Sequence, residues 1–284
     1  METKAIPTAS INILDESFDA AKSNTYHLSI LANENEVAYS ILDTNTNKYI
    51  ALKSFTPSLN REIPSVDPLQ ELGASSFRSV SCAVAHHKFT LIPSALFDEE
   101  NKESLMGFNH PTEKTEVIHF NNLRNLDAKN IFTIEKELES TIRKQFPNAK
   151  FMHHSTAFIE GLLIQHKNNS AKKVFADFNA GYFTVVLLNG RELLFSNAFT
   201  YKTPEDIAYY LLFVYEQLHL NPEEIELILS GEMEKTAKEH ALLYNYIRHV
   251  KFAARPDGFQ YSYKFEHIQS HRFFSLFNQY LATN

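Results

Sequence analysis

Histidine is the residue type that first invites a chemical reading of this chain. There are 13 in 284 residues, and four of them form two adjacent pairs, His86-His87 and His153-His154. A zinc site needs three or four ligands converging on one point. Both pairs fall on predicted strands or turns, where neighbouring side chains point to opposite faces, so neither is expected to chelate one ion. His267 and His271 stand four apart at the predicted start of a terminal helix and would share a face, but two ligands leave a site incomplete. No helix has the two-histidine, one-glutamate spacing of a zinc protease. Nucleophilic chemistry is no better served. Ser230-Gly231 is half of a G-x-S-x-G elbow, and the single cysteine, Cys82, sits inside an apolar run, as an inert core residue does. There is neither a G-x-G-x-x-G turn nor a Walker lysine motif.

Lys251 to His267 is the remaining stretch with a chemical pattern. Lys251, Arg255 and Lys264 are interleaved with Phe259, Tyr261, Tyr263 and Phe265, an arrangement that can stack and neutralise single-stranded nucleic acid. The same stretch alternates Gln260, Ser262 and Lys264 with the aromatics, the pattern of a half-buried strand. The formal net charge of -7 favours the strand, because such binding needs a positive groove. No nucleic-acid partner is expected; a protein-docking surface is the intermediate reading.

Elements that would position these residues are legible along the chain. YHLSILA, EVAYSILD and KYIALKSF read as a three-stranded meander over 26–55, joined by Asn-rich turns. A proline-bearing loop and short helix follow over 57–76. Ser79 to Pro93 reads as two extended runs with a turn at His86-His87, and Ser94 opens a helix whose body is Asp98 to Phe108. Strands follow at 115–120 and 130–134. Ile134, Leu138, Ile142 and Phe146 then recur every four residues, one face of a helix that Pro147 stops. A short strand at 150–154 leads to a helix capped by Ser155.

The second half opens as the first does. KVFADFN, FTVVLLN and ELLFSNAFTY form another meander, about 145 residues after the first. Thr203-Pro204-Glu205-Asp206 starts a helix with a hydroxyl cap, proline at its first position and acids in its first turn. A strand at 224–231, a helix at 233–247, a strand at 249–253 and a terminal helix over 267–282 complete the chain. Strands alternating with helices in two similar halves predict an α/β protein with two βββαβα units, over 24–150 and 151–284. The longest apolar run, Ile207 to Tyr215, is about half of a bilayer span, so no membrane insertion is expected. The polar N-terminal residues and the lone cysteine make the cytoplasm the expected compartment.

Two βββαβα units resemble the actin-like ATPase superfamily, whose ribonuclease-H-like halves enclose a nucleotide cleft. The segment SVSCAVAHHKFTLIPSALFDEENKESLMGFNH resembles a strand, hairpin and acidic-helix stretch of pilus-assembly and type II secretion actin-like proteins, with Ile92-Pro93 at their Leu-Pro place. HHSTAFIEGLLIQ resembles the helix joining their halves, and VFADFNAGYFTVVLLNGRELLFSNAF their second phosphate hairpin. From about Tyr26 onward the chain also resembles the bacterial domain-of-unknown-function family 3822.

The resemblance implies a cleft, and the departures from its pattern imply what became of the chemistry. Active members end the first strand in Asp and follow it with glycine-containing turns, which serve Mg²⁺ and phosphate. Here SILANENEVA has no Asp and no Gly, and Glu34 and Glu36 stand in the turn. At about 6 Å each carboxylate would repel a triphosphate by roughly a few kcal/mol. The second hairpin keeps Asp177 and Gly181, with Asn179 where a glycine would stand, and Gly231 falls where relatives hold adenosine. Bound Mg-ATP would therefore use Asp177, Asn179, Gly181 and Gly231, with Asp177 on the metal. The plainer reading is a carboxylate at a strand end and glycines in turns, since one carboxylate is too few for Mg²⁺ without phosphate help. Only 7 glycines in the whole chain fit that reading. The expectation is a non-catalytic actin-like scaffold without cofactor that binds an unknown protein partner; a nucleotide-binding, weakly ATP-hydrolysing protein is the alternative.

Overall fold

The computed structural model describes residues 9–33, 36–55, 69, 72 and 76–283. Of the stretch 57–76, only residues 69, 72 and 76 fall within it, and Glu34 lies outside the described residues.

The first meander forms as its sequence predicts, with β2 (Tyr26–Ala32), β3 (Val37–Asp43) and β4 (Lys48–Phe55) antiparallel, the β3–β4 register shifting by one residue between Ile41 and Leu42. Burial on both faces explains why these strands are apolar runs rather than alternating ones. β5 (Ser79–Val84) pairs parallel with β2, and β9 (Lys150–His153) parallel with β5. A strand the sequence reading left out, β1 (Ala9–Leu14), closes the other side on β4.

The second sheet repeats this order. β12 (Glu192–Thr200), β11 (Tyr182–Asn189), β10 (Lys172–Asn179), β13 (Glu226–Gly231) and β14 (Val250–Phe252) follow one another as β4, β3, β2, β5 and β9 do in the first. Two sheets with the same strand order are the predicted internal repeat. A third, antiparallel sheet joins β6 (Phe89–Pro93), β8 (Ala128–Glu135) and β7 (Glu116–Leu123). The two extended runs of Ser79 to Pro93 are thus no hairpin: β5 stays in the large sheet and β6 leaves it for the small one.

The helices are α1 (Lys102–Gly107), α2 (Lys136–Gln145), α3 (His154–Gln165), α4 (Pro204–Gln217), α5 (Lys238–Leu243) and α6 (Phe274–Thr283). α2 buries Leu138 and Ile142, as its four-residue spacing requires. α4 starts with a full capping box, Thr203 and Asp206 each satisfying the other's backbone N–H. The helix expected over 94–108 is broken into two 3-10 turns and α1, because the Asp98 carboxylate accepts from Glu100 N–H and starts a new turn. α6 begins seven residues later than expected because Phe273 takes a left-handed backbone, φ 63. His267 and His271 therefore do not share a helix face: His267 ends a 3-10 turn and His271 lies in the link beyond it. The proposed strand of aromatics shrinks to β15 (Gln260–Tyr261), which pairs with β4 of the first sheet. Arg255 bends the rest inward by donating to the carbonyls of Phe265 and Ile268.

α3 and α6 lie side by side between the two main sheets. Phe277 packs with Leu31, Tyr49 and Phe265 toward the first sheet, while Phe274 packs with Phe158, Phe175 and Ile228 toward the second. Both phenylalanines are fully buried, so two layers of the same chain cover the terminal helix.

Candidate functional site

The ends of β2, β10 and β13 converge with the link before α6 on a narrow crevice lined by Asn33, Glu36, Asp177, Asn179, Glu232 and Arg272. The turn from β2 to β3 is tied by its own residues: Glu36 N–H donates to Asn33 Oδ1 at 2.6 Å, and Asn33 N–H to the Glu36 carbonyl at 3.0 Å. This fixes the Glu36 carboxylate inward, where it accepts from Ser54 Oγ and lies 3.3 Å from the Arg272 guanidinium. The sequence reading placed Glu36 here but had no place for Arg272, which stands 236 residues away. With the ion pair in place, the crevice holds about 20 Å³ of open space, room for one or two water molecules.

Asp177 is buried at the end of β10. Ser230 Oγ on β13 donates to its Oδ1 at 2.7 Å, and His154 Nδ1 at the start of α3 lies 3.5 Å from its Oδ2. His154 Nε2 in turn is 3.2 Å from the Tyr182 hydroxyl. Asn179 is buried beside Asp177, and its carbonyl accepts from Tyr201 OH at 3.1 Å. Gly181 makes the β10–β11 turn at φ 77 with open space around it. Gly231 differs: at φ 79, a Cβ there would come within 2.1 Å of the Phe178 carbonyl oxygen. Its small size serves the contact between β13 and β10. Asp177, Asn179 and Gly231 therefore meet at one crevice, while Gly181 lies at the neighbouring hairpin tip.

Glu232 follows Gly231 and turns its carboxylate to the crevice although the residue as a whole is exposed. Desolvation there, then the Glu36 charge, push its pKa up to about 6, with Arg272 acting in the opposite sense.

Three of the four paired histidines, the half-buried His86 and the buried His153 and His154, form a row, while His87 is exposed. Ring centroids of His86 and His153 are 4.8 Å apart and those of His153 and His154 4.6 Å, so the second pair does not point to opposite faces. It straddles the β9–α3 junction, where the strand rule lapses. His153, and not Ser155, caps α3: its Nδ1 accepts from Ser155 N–H at 3.2 Å, and its Nε2 donates to the His86 carbonyl at 3.0 Å. His86 is held likewise, accepting from Lys88 N–H and donating to the Thr133 carbonyl. Burial drives the His86 pKa down to about 4 and that of His153 well below the usual imidazole value, so both are neutral structural groups. Among the described residues no three His, Cys, Asp or Glu side chains gather as a metal-binding group. Cys82 is buried in β5 and its thiol is pushed up to about 12 by desolvation.

A wider groove of about 540 Å³ opens beside the crevice, between the end of β5 and the small sheet. Val84, Ala85, Ile134 and Leu138 give it apolar surface, and Lys88, Glu113, Glu116 and Glu135 give it charge. Lys88 bridges the acids, 3.0 Å from Glu116 and 3.8 Å from Glu113.

The family profile described as protein of unknown function (DUF3822) matches residues 15–250. The chain belongs to that family. A solved Bacteroides thetaiotaomicron protein with actin-like ATPase fold and unknown function is similar to it, with 28% identity and a TM-score of 0.76. That match covers 83% of this chain and 93% of the other. The PilM-PilN type IV pilus biogenesis complex contributes a second similar chain at 14% identity and TM-score 0.60, covering 90% of this chain and 97% of that one. No curated protein matches the sequence. The family and the shared architecture give this member of DUF3822 the actin-like ATPase fold that its two meanders predict. Among the described residues, no helix is long and apolar enough to cross a membrane.

Proposed function

We propose that this protein is a non-catalytic, actin-like protein-binding module that uses no Mg-ATP. The observation that carries the reading is the Glu36–Arg272 ion pair, which fills the space between the two hairpins where active members of the fold hold phosphates. Three carboxylates, on Glu36, Asp177 and Glu232, face a space of about 20 Å³. A triphosphate would have to displace Arg272 and then meet the acids that Arg272 leaves behind. Asp177 is committed to Ser230 and sits beside His154, and of the two carboxylates that share its crevice Glu36 is paired with Arg272, which leaves only Glu232 to complete a Mg²⁺ shell with it. The retained Asp177, Asn179, Gly181 and Gly231 are better explained as parts of the hairpin and of the β10–β13 contact.

The proposed partner is another protein, and the proposed seat is the groove between β5 and the small sheet. Apolar surface with a charged rim is the usual make-up of a peptide-sized site. The PilM-PilN neighbour, a chain of the same fold solved within a protein complex, is consistent with such a role.

Calorimetry with Mg-ATP tests the first half of the reading. No heat of binding is expected; micromolar affinity lost in Asp177→Ala would establish the nucleotide-binding alternative. Capture from the native cell tests the second half. A protein retained by the wild type should be lost with Glu113→Arg/Thr115→Arg, two exposed residues of the groove.

A further inference from the structure

The internal repeat makes β12 the counterpart of β4, and the two strands differ at their outer edges. The edge of β4 is covered along its length: β1 runs antiparallel beside Ala51 to Phe55, and β15 parallel beside Lys48 and Tyr49. β12 ends its sheet, and among the described residues no strand pairs with its outer edge. We propose that a second copy of this chain covers that edge, the two β12 strands pairing antiparallel about a two-fold axis.

β12 carries little of what blunts a free edge. It is nine residues long, has no Lys or Pro, and its one charge, Glu192, stands at its start. Its bulge lies near that same end, opposite Leu187 and Leu188, and Phe195 to Thr200 run in regular register. Other sheet ends are guarded. β9 and β14 have only four and three residues, and β7 is tied to β9 by Asn121, which donates to the Phe151 carbonyl and accepts from His153 N–H. Beside the β12 edge an aromatic row leads outward. Phe199 stacks on Tyr210 of α4 at 5.0 Å, Tyr210 meets Tyr209 at 5.3 Å, and Tyr209 stacks on Phe213 at 6.2 Å. Tyr209 is 64% exposed and Phe213 43%, so the row ends in apolar surface open to a neighbour.

The strand is complementary to itself. With Asn197 facing its own copy across the axis, Phe195 lies opposite Phe199 on the face toward α4, in two equivalent aromatic pairs. The same register carries Glu192 of each copy toward the exposed Lys202 of the other and sets no like charges opposite each other. Asn197 is exposed, and its Oδ1 accepts only from within the strand, from Ala198 N–H at 2.9 Å. Seen edge-on, the sheet layer and α4 make a strip about 30 Å long and about 20 Å wide. On the order of 600 Å² of each copy would be covered, about 1,200 Å² in all, which is the lower limit of a specific interface. A dimer of that size should dissociate on dilution.

Sedimentation velocity over a concentration series and an oxidative cross-link test the proposal. The wild type should pass from monomer to dimer as concentration rises. Asn197→Lys places like charges face to face on the axis and should abolish the dimer, with the melting temperature of the dilute protein unchanged. Asn197→Cys should form a disulfide-linked dimer on oxidation, since directly opposed residues have Cβ atoms about 4.5–5.5 Å apart. The wild type should form none, because Cys82 is buried. A wild type that stays monomeric at every concentration would overturn the proposal. So would a dimer that survives Asn197→Lys, or Asn197→Cys that fails to cross-link where the wild type associates. Open-ended polymers would overturn it as well, because one pairing uses up the one free edge of each copy.

Discussion

Arg272 and Glu36, 236 residues apart in sequence, meet at 3.3 Å across the crevice between the two meanders. Glu36 belongs to the turn after β2, and Arg272 to the link that enters α6. The pair therefore ties the first hairpin to the chain segment that passes between the sheets. It also neutralises a carboxylate that would otherwise face Asp177 and Glu232 unpaired.

Arg272→Gln should destabilise the protein by about 1–3 kcal/mol, the range for a lost hydrogen bond to a charged group. Much of that loss is the desolvated Glu36 left without its cation, so Glu36→Gln added to Arg272→Gln should recover part of it. A double-mutant cycle by urea denaturation measures the coupling. Strictly additive effects would mean that the two side chains do not act as a pair.

Glu232 gives the crevice a pH dependence. Its folded pKa is about 6, raised from 4.5 by desolvation and by Glu36. Between those values the folded state holds more protons than the unfolded one, so stability falls as pH rises from about 4.5 to 6. Glu232→Gln removes that loss. The variant should melt higher than wild type at pH 7, and the difference should shrink to nothing near pH 4.5. A difference independent of pH would rule out titration of Glu232 as its source.

Much of this fold is legible in the sequence because its central strands are buried on both faces. YHLSILA, VFADFN and FTVVLLN are continuous apolar runs, and the Asn-rich or Gly-containing turns between them set the meanders. β1 was missed because it lies at a sheet edge, where SINIL alternates between exposed and half-buried residues in a polar context. Gln260 to Phe265 misled in the opposite direction. Its alternation is real, but Ser262 caps a 3-10 turn and Arg255 pins the backbone, so most of the stretch never becomes strand. At the candidate site Asp177, Gly181 and Glu36 were readable as hairpin residues. Arg272 was not, since SHRFF carries no local signal for a partner in the first hairpin. His153 as a helix cap was equally hidden, because histidine is a rare cap and Ser155 is a common one.

The two turn glycines should respond very differently to one added methyl group. Both have left-handed backbones, which cost an L-residue about 1–2 kcal/mol. Gly181→Ala adds only that strain, since nothing lies within 4 Å of the new Cβ. Gly231→Ala also drives the Cβ into the Phe178 carbonyl at 2.1 Å, a backbone atom that cannot swing aside. Gly231→Ala should therefore cost clearly more than Gly181→Ala in denaturant unfolding. Equal losses would show that β13 and β10 can separate at this point without penalty.

The terminal helix supplies the last test, because its two faces belong to different cores. Phe277 meets Tyr49 at 4.8 Å and Tyr261 at 5.4 Å, all on the side of the first sheet. Phe274 meets Phe158 of α3 edge-on at 5.8 Å, on the side of the second. Truncating a buried phenylalanine typically costs about 3–5 kcal/mol, and both positions are enclosed. Phe277→Ala and Phe274→Ala should each lower the melting temperature by several degrees, without changing the sedimentation of the folded protein. The two losses should also be nearly additive, since no shared ring connects them. A Phe274→Ala variant with unaltered stability but altered self-association would mean that this face is covered by another molecule, and not by α3.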